Sequence, residues 1–156
     1  MTSELTTAGT GAVTDRRTLG RTAAWLAKQV ELGLADVDLS LPQYRVLGLL
    51  DERSAFSSDL AERLAVRPPT VTAVVDGLVA RGLVGRHPVA GDRRRVDHQL
   101  TDEGLALLGA ADAAVEARLE LVTDAMADPV ATEEAFGGLV CWRRALVAYS
   151  RARWGR

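Results

Sequence analysis

The chain is predicted to be mainly α-helical with a small β-wing: a helix-turn-helix and hairpin flanked at both ends by long amphipathic helices. Three adjoining patterns predict this. Residues 57–66, SSDLAERLAV, place Leu60, Ala61 and Leu64 on one face of a short helix. Residues 67–82, RPPTVTAVVDGLVARG, carry Val71, Val74, Val75, Leu78 and Val79 at i, i+3, i+4, i+7 and i+8 of a second helix. Residues 83–100, LVGRHPVAGDRRRVDHQL, then switch to two extended runs around a Gly91-Asp92 turn. Helix, turn, helix and hairpin in this order make a winged helix-turn-helix. Its second helix can lie in a DNA major groove while the hairpin reaches the neighbouring minor groove.

The elements follow in order. Residues 1–14 are rich in Thr, Ser, Gly and Ala and are expected to form a disordered tail. From Asp15 a helix is expected to reach about Gly33, with Leu19, Ala23, Leu26 and Val30 on one stripe and Trp25 and Leu32 widening it. Leu41-Pro42 opens another, whose Tyr44, Val46, Leu47, Leu49 and Leu50 suit a helix buried between two layers. Ala55-Phe56 is short enough to be a third strand beside the wing. Pro68 and Pro69 lack a backbone N–H and suit a first helical turn, and Gly82 suits a left-handed C-terminal cap. Val96, His98 and Leu100 alternate along the returning strand.

Thr101 is expected to cap a long helix, with Asp102 and Glu103 complementing its dipole. That helix should reach about Ala127, with Leu105, Leu108, Val115, Leu119, Val122 and Met126 on one side, until Asp128-Pro129 stops it. The last helix is expected from Thr132 to about Tyr149, using Phe136, Leu139, Val140, Leu146 and Val147. The first and the last two helices have apolar stripes without an evident partner in the central module. Pairing with a second copy of the chain would bury them and present two half-site readers.

Charge is distributed unevenly. At 156 residues and a net charge of -2, the chain is one domain's worth and no generic polyanion binder. Residues 81–95, however, hold five arginines (81, 86, 93, 94, 95) against Asp92, a local +4 that leaves -6 for the remainder. A solvated arginine-rich hairpin is the plain alternative for the same residues. Cys141 is the single cysteine, so no intramolecular disulfide or CxxC motif is possible, and His87 and His98 are the only histidines. No cofactor or metal is therefore expected. An enzyme is not expected either: there is no Gly-rich phosphate loop, and Ser57, Ser58 and Asp59 read as helix-start residues. Without a signal-like start or an apolar run near 18 residues, a cytoplasmic location without a membrane partner is expected.

From about Leu19 onward, the segments LPQYRVLGLL, SSDLAERLAVRPPTVTAVVDGLVARGLV and the wing DRRR followed by LTDEG resemble the MarR family of bacterial transcription regulators. The resemblance implies one domain over 15–156, in which 15–40 and 102–156 are dimerisation helices and 41–101 is the DNA-binding lobe. It also implies a homodimer on a palindromic operator in double-stranded DNA, acting as a repressor that a small aromatic or phenolic ligand relieves.

Roles carried over by the resemblance fall on named positions. Asp92 and Arg94 match the wing-tip Asp-x-Arg, whose arginine enters the minor groove while the aspartate steadies it. A narrow minor groove is strongly negative, and a guanidinium is weakly hydrated. Arg93 and Arg95 are expected at phosphates, and Arg86 is a further DNA-binding candidate. Thr70 and Thr72 match DNA-facing positions of the recognition helix, beside Pro69. Ala73 can touch a thymine methyl, and Arg67 can reach a phosphate or a guanine. Capping of the helix is the alternative role for Thr70.

The chain departs from the family at Ala73 and Gly77, where long basic residues are frequent, and at Asp97, where arginine is common. Direct base readout is thus expected to be weak and shape readout important. Gly77 costs about 1 kcal/mol against alanine in a helix, for which close approach of another backbone or of DNA is the expected reason. The resemblance places effectors between the dimer helices and the DNA-binding lobe. By position Trp25, Gln29, Tyr44 and Arg45 would line such a pocket, with Arg16, Arg17 or Arg21 anchoring a carboxylate. Alternatively, Trp25 and Tyr44 are core aromatics and the arginines are solvated. Cys141 lies far from the early helices where the peroxide-sensing branch carries its cysteine, and reads as a buried structural thiol. The competing functional reading is a winged-helix protein–protein interaction module without specific DNA binding.

Overall fold

The computed structural model describes residues 16–89 and 92–154. A 3-10 turn at Arg16–Thr18 leads into α1 (Leu19–Ala35) and α2 (Leu41–Glu52), followed by β1 (Ala55–Phe56), α3 (Ser57–Leu64) and α4 (Pro68–Ala80). The hairpin consists of β2 (Val84–Val89) and β3 (Asp92–Leu100). Then come α5 (Asp102–Thr123), a 3-10 turn at Asp124–Met126, and α6 (Pro129–Trp154). The chain is thus mainly helical with a small antiparallel wing, as its periodicities predict.

Local chemistry sets most boundaries. Ser40 opens α2 with a capping box: its Oγ accepts from the Gln43 N–H at 3.4 Å, and its own N–H donates to Gln43 Oε1 at 2.9 Å. The Thr101 hydroxyl accepts from the Gly104 N–H at 3.0 Å and donates to the Gly82 carbonyl at 2.7 Å, joining the start of α5 to the end of α4. Gly82, at φ 72, closes α4 with paired bonds: its N–H reaches the Val79 carbonyl at 2.9 Å and the Leu83 N–H reaches Leu78 at 3.0 Å.

Four boundaries differ from the sequence-based expectation. Gly33 does not end α1, which continues to Ala35. Instead it lets α1 approach α5: a Cβ there would lie 2.9 Å from the Ala114 carbonyl oxygen and 3.1 Å from Val115 Cα. The long helix ends at Thr123, with Ala127 left-handed at φ 52 after the 3-10 turn. The last helix begins at Pro129 rather than Thr132 and runs beyond Tyr149 to Trp154. Proline suits a first turn, and Asp128 Oδ1 accepts from the Val130 N–H at 2.9 Å. Asp128-Pro129, expected to stop the long helix, instead starts the next one, because α5 has already ended at Thr123.

The core lies where α1, α2, α3, α4 and α5 converge. Leu34, Val46, Leu47, Leu60, Val71, Val75 and Leu78 are fully buried, with Leu108, Ala111 and Val115 of α5 closing one side. Burying each such Leu or Val contributes about 1.5–3 kcal/mol. The sheet has strand order β1-β3-β2, with Ala55 opposite His98 and Phe56 opposite Asp97. His98 is buried in it, and its Nδ1 lies 3.2 Å from the Ala55 carbonyl oxygen. A carbonyl only accepts, so Nδ1 carries the proton. Pro88 sits on the edge strand β2, where its missing N–H costs no ladder bond, and the register shifts between Pro88 and Val89. Asp92 is already the first residue of β3; Ala90 and Gly91 lie outside the described residues.

Candidate nucleic-acid interface

The two halves of α4 divide cleanly. Val71, Val75 and Leu78 face the core, while Pro69, Thr70, Thr72, Ala73 and Asp76 are exposed together on the opposite side. Arg67 stands at the N-cap with an extended backbone and an exposed side chain. Thr70 does not cap the helix, because Arg67 occupies that position and no side chain accepts a cap bond. Thr72 donates to the Pro68 carbonyl at 3.1 Å, and its hydroxyl oxygen keeps the capacity to accept. Gly77 is not explained by close packing within the chain: a Cβ there would meet only Gln43 Nε2, at 3.9 Å.

The wing stands beside this face. Arg86, expected to contact DNA, is engaged in an ion pair in which its Nη2 donates to Asp76 Oδ1 of α4. That carboxylate, overlooked in the sequence, is the one charged group within α4. The backbone of Asp92, Arg93, Arg94 and Arg95 belongs to β3, and their side chains lie outside the described residues. Asp97 accepts from Gln99 Nε2 at 3.2 Å. Desolvation raises its pKa, but hydrogen bonds from Ser54 and Gln99, together with His98 and His87, outweigh this and hold it below the ordinary aspartate value.

The family model described as MarR family matches residues 37–95, which span α2 through the wing. The HTH-type transcriptional repressor Rv2887 of Mycobacterium tuberculosis is 32% identical over 100 residues, covering 64% of this chain and 72% of that one. The chain belongs to the MarR family. The MarR-family chain is also 33% identical over 95 residues to the HTH-type transcriptional regulator PecS of Dickeya dadantii, covering 58% of this chain and 57% of PecS. It spans less than half of two further curated repressors that it matches. Among solved structures, the transcriptional repressor CouR bound to a 23-mer DNA duplex superposes with a TM-score of 0.66 at 27% identity, over 81% of this chain and 89% of that one.

The ligand candidates of this MarR-family chain point to separate partners. Tyr44 donates to Asp112 Oδ1 at 2.5 Å, Gln29 Oε1 accepts from Arg118 Nε at 3.0 Å, and Arg45 Nη2 donates to the Leu64 carbonyl at 3.4 Å. Arg21 is exposed. Trp25 is 73% exposed and so is no core aromatic of the single chain, whereas Tyr44 packs partly buried against the core. Burial raises the Tyr44 pKa, and the Asp112 hydrogen bond and charge raise it further. Apolar cavities lie elsewhere among the described residues. One of about 240 Å³ is apolar and lined by Leu26, Leu119, Val122, Phe136, Leu139 and Trp142. Another, of about 470 Å³, lies among α2, α3 and α6 beside Arg63, Leu146 and Val147. None of the five candidates lines either one.

Cys141 corrects another expectation: it is exposed, because α6 packs only lightly on its own chain. Trp142, Leu146 and Tyr149 of the same helix are each more than half exposed. By contrast α1, read as lacking a partner in the central module, packs extensively along α5, outside that module.

Proposed function

We propose that this chain is a homodimeric transcription repressor that binds a palindromic operator, with α4 in the major groove and the β2–β3 wing at the minor groove. The observation that carries this is the exposed face of α4, small and polar around Thr70, Thr72 and Ala73, beside an arginine-bearing hairpin. Such a face fits against base edges and thymine methyls, while wing arginines supply the charge that phosphates and a narrow groove attract. The likeness to CouR, which was solved bound to a 23-mer DNA duplex, supports DNA as the partner.

Residues 15–40 and 102–156 serve as dimerisation helices in this reading, and 41–101 as the DNA-binding lobe. The exposed Trp25, Leu32, Leu121, Val140, Trp142 and Leu146 support it, since a second copy would bury them. A small aromatic or phenolic effector would occupy the apolar cavity among α1, α5 and α6, within these helices rather than between them and the DNA-binding lobe, and its binding would favour one lobe spacing over another. The protein acts in the cytoplasm, by binding rather than by catalysis. Among the described residues no helix is long and apolar enough to cross a membrane.

The test is binding to DNA from the protein's own upstream region, beside an unrelated duplex, across a salt series. Preferential binding that weakens steeply with salt and collapses in Arg94→Ala is the expected result. Equal, weak binding to both duplexes and to genomic fragments would instead favour a protein-binding module. Aromatic acids added to the same assay should release the DNA.

A further inference from the structure

We propose that Arg86 acts on DNA binding through Asp76 and not by touching a phosphate: it is a positioning residue that neutralises the carboxylate of the recognition helix. The inference rests on the DNA-binding reading above. Asp76 follows Thr72 and Ala73 by four and three residues, so it shares their exposed face, the side which that reading turns toward DNA. A bare carboxylate at that point would repel the phosphates and lower affinity. Thr70, Thr72 and Ala73 bring no compensating charge.

Arg86 supplies it from outside the helix. It sits on β2 opposite the buried His98 of β3, in the part of the sheet that is regularly paired, so its backbone is held firmly. From there its Nη2 donates to Asp76 Oδ1. The two side chains remain 46% and 54% exposed, and ion pairs of that exposure add little to folding stability. What the pair changes is the charge on the DNA-facing side of α4. Of the five arginines between 81 and 95, Arg86 is thus directed inward to the helix.

The decisive experiment is a double-mutant cycle on DNA affinity with the full chain: wild type, Arg86→Ala, Asp76→Ala and the double variant, each across a salt series. Arg86→Ala alone is expected to weaken binding roughly 5- to 20-fold, because it unmasks the carboxylate. The double variant should return to within about twofold of wild type, with an unchanged slope of log affinity against log salt. A double variant as weak as Arg86→Ala, with a slope shallower by about 0.9, would mean that Arg86 meets a phosphate and would overturn the inference. Should alanine loosen the wing, Arg86→Gln and Asp76→Asn repeat the cycle at nearly constant volume. A wild-type chain that binds no DNA would sink both this inference and the function it rests on; binding without rescue would sink this one alone.

Discussion

Arg81, which closes α4, donates from Nη1 to the main-chain carbonyl of Asp38 at 2.8 Å, bonding the end of the recognition helix to the turn between α1 and α2. Its Nη2 lies 3.7 Å from Asp38 Oδ2, a looser contact to a fully exposed carboxylate. The tie therefore depends on the backbone of residue 38 rather than on its side chain. Arg81→Ala is expected to cost about 1 kcal/mol in urea denaturation, while Asp38→Asn should change little. Equal losses for the two variants would show that the carboxylate, not the carbonyl, is the effective partner.

The turn between α3 and α4 holds a mismatch. Ala65 takes a left-handed φ of 55 so that its N–H can reach the Glu62 carbonyl at 3.1 Å while the Val66 N–H reaches Ala61 at 3.1 Å. A Cβ is disfavoured in that conformation, so Ala65→Gly should stabilise the chain by up to about 1 kcal/mol. Thermal melting of the two proteins checks it, and a lower midpoint for the glycine variant would contradict it.

Gly104 and Gly109 lie on the same helix and should respond in opposite ways. A Cβ at Gly104 would sit 2.0 Å from the Leu83 carbonyl oxygen, whereas one at Gly109 would meet nothing within 4 Å. Gly104→Ala is expected to destabilise by at least 2 kcal/mol, since backbone must move. Gly109→Ala should gain up to about 1 kcal/mol from helix propensity. Denaturant midpoints measured in parallel compare the two directly.

Tyr44 makes stability depend on alkaline pH. Burial, followed by the Asp112 hydrogen bond and charge, raises its pKa above the ordinary 10.0, so the folded chain holds the phenol proton after the unfolded chain has released it. The stabilisation is complete below pH 10 and is lost as pH rises through the folded-state value. Tyr44→Phe should cost about 1 kcal/mol at neutral pH and flatten the decline above pH 10. An identical alkaline decline in the phenylalanine variant would assign that slope to other groups.

Helix and strand identity was legible wherever the cause is local. The valine spacing of α4, the proline pair at its start, Gly82 at its end and Thr101 before α5 each act within a few residues, and each forms as its chemistry requires. The exposed face of α4 follows from the same periodicity, since fixing Val71, Val75 and Leu78 inward leaves Thr72, Ala73 and Asp76 outward. Even the misplaced start of α6 had a local signal: Pro129 marks a first turn as readily as a stop.

What the sequence determined by itself, then, is the order of elements and the side that α3 and α4 bury, because periodicity and capping are properties of consecutive residues. The tertiary structure alone decided which groups meet across the chain. Arg86 reaches Asp76 from a neighbouring strand, and Arg81 reaches a carbonyl 43 residues away. Gly104 packs on the Leu83 backbone, and Trp25 and Cys141 stay exposed because α1 offers only one side to α5 and α6 scarcely packs on its own chain. Long arginine side chains reach several acceptors with similar ease, and a residue's burial depends on its neighbours in space. Only the packing of the helices selects among them.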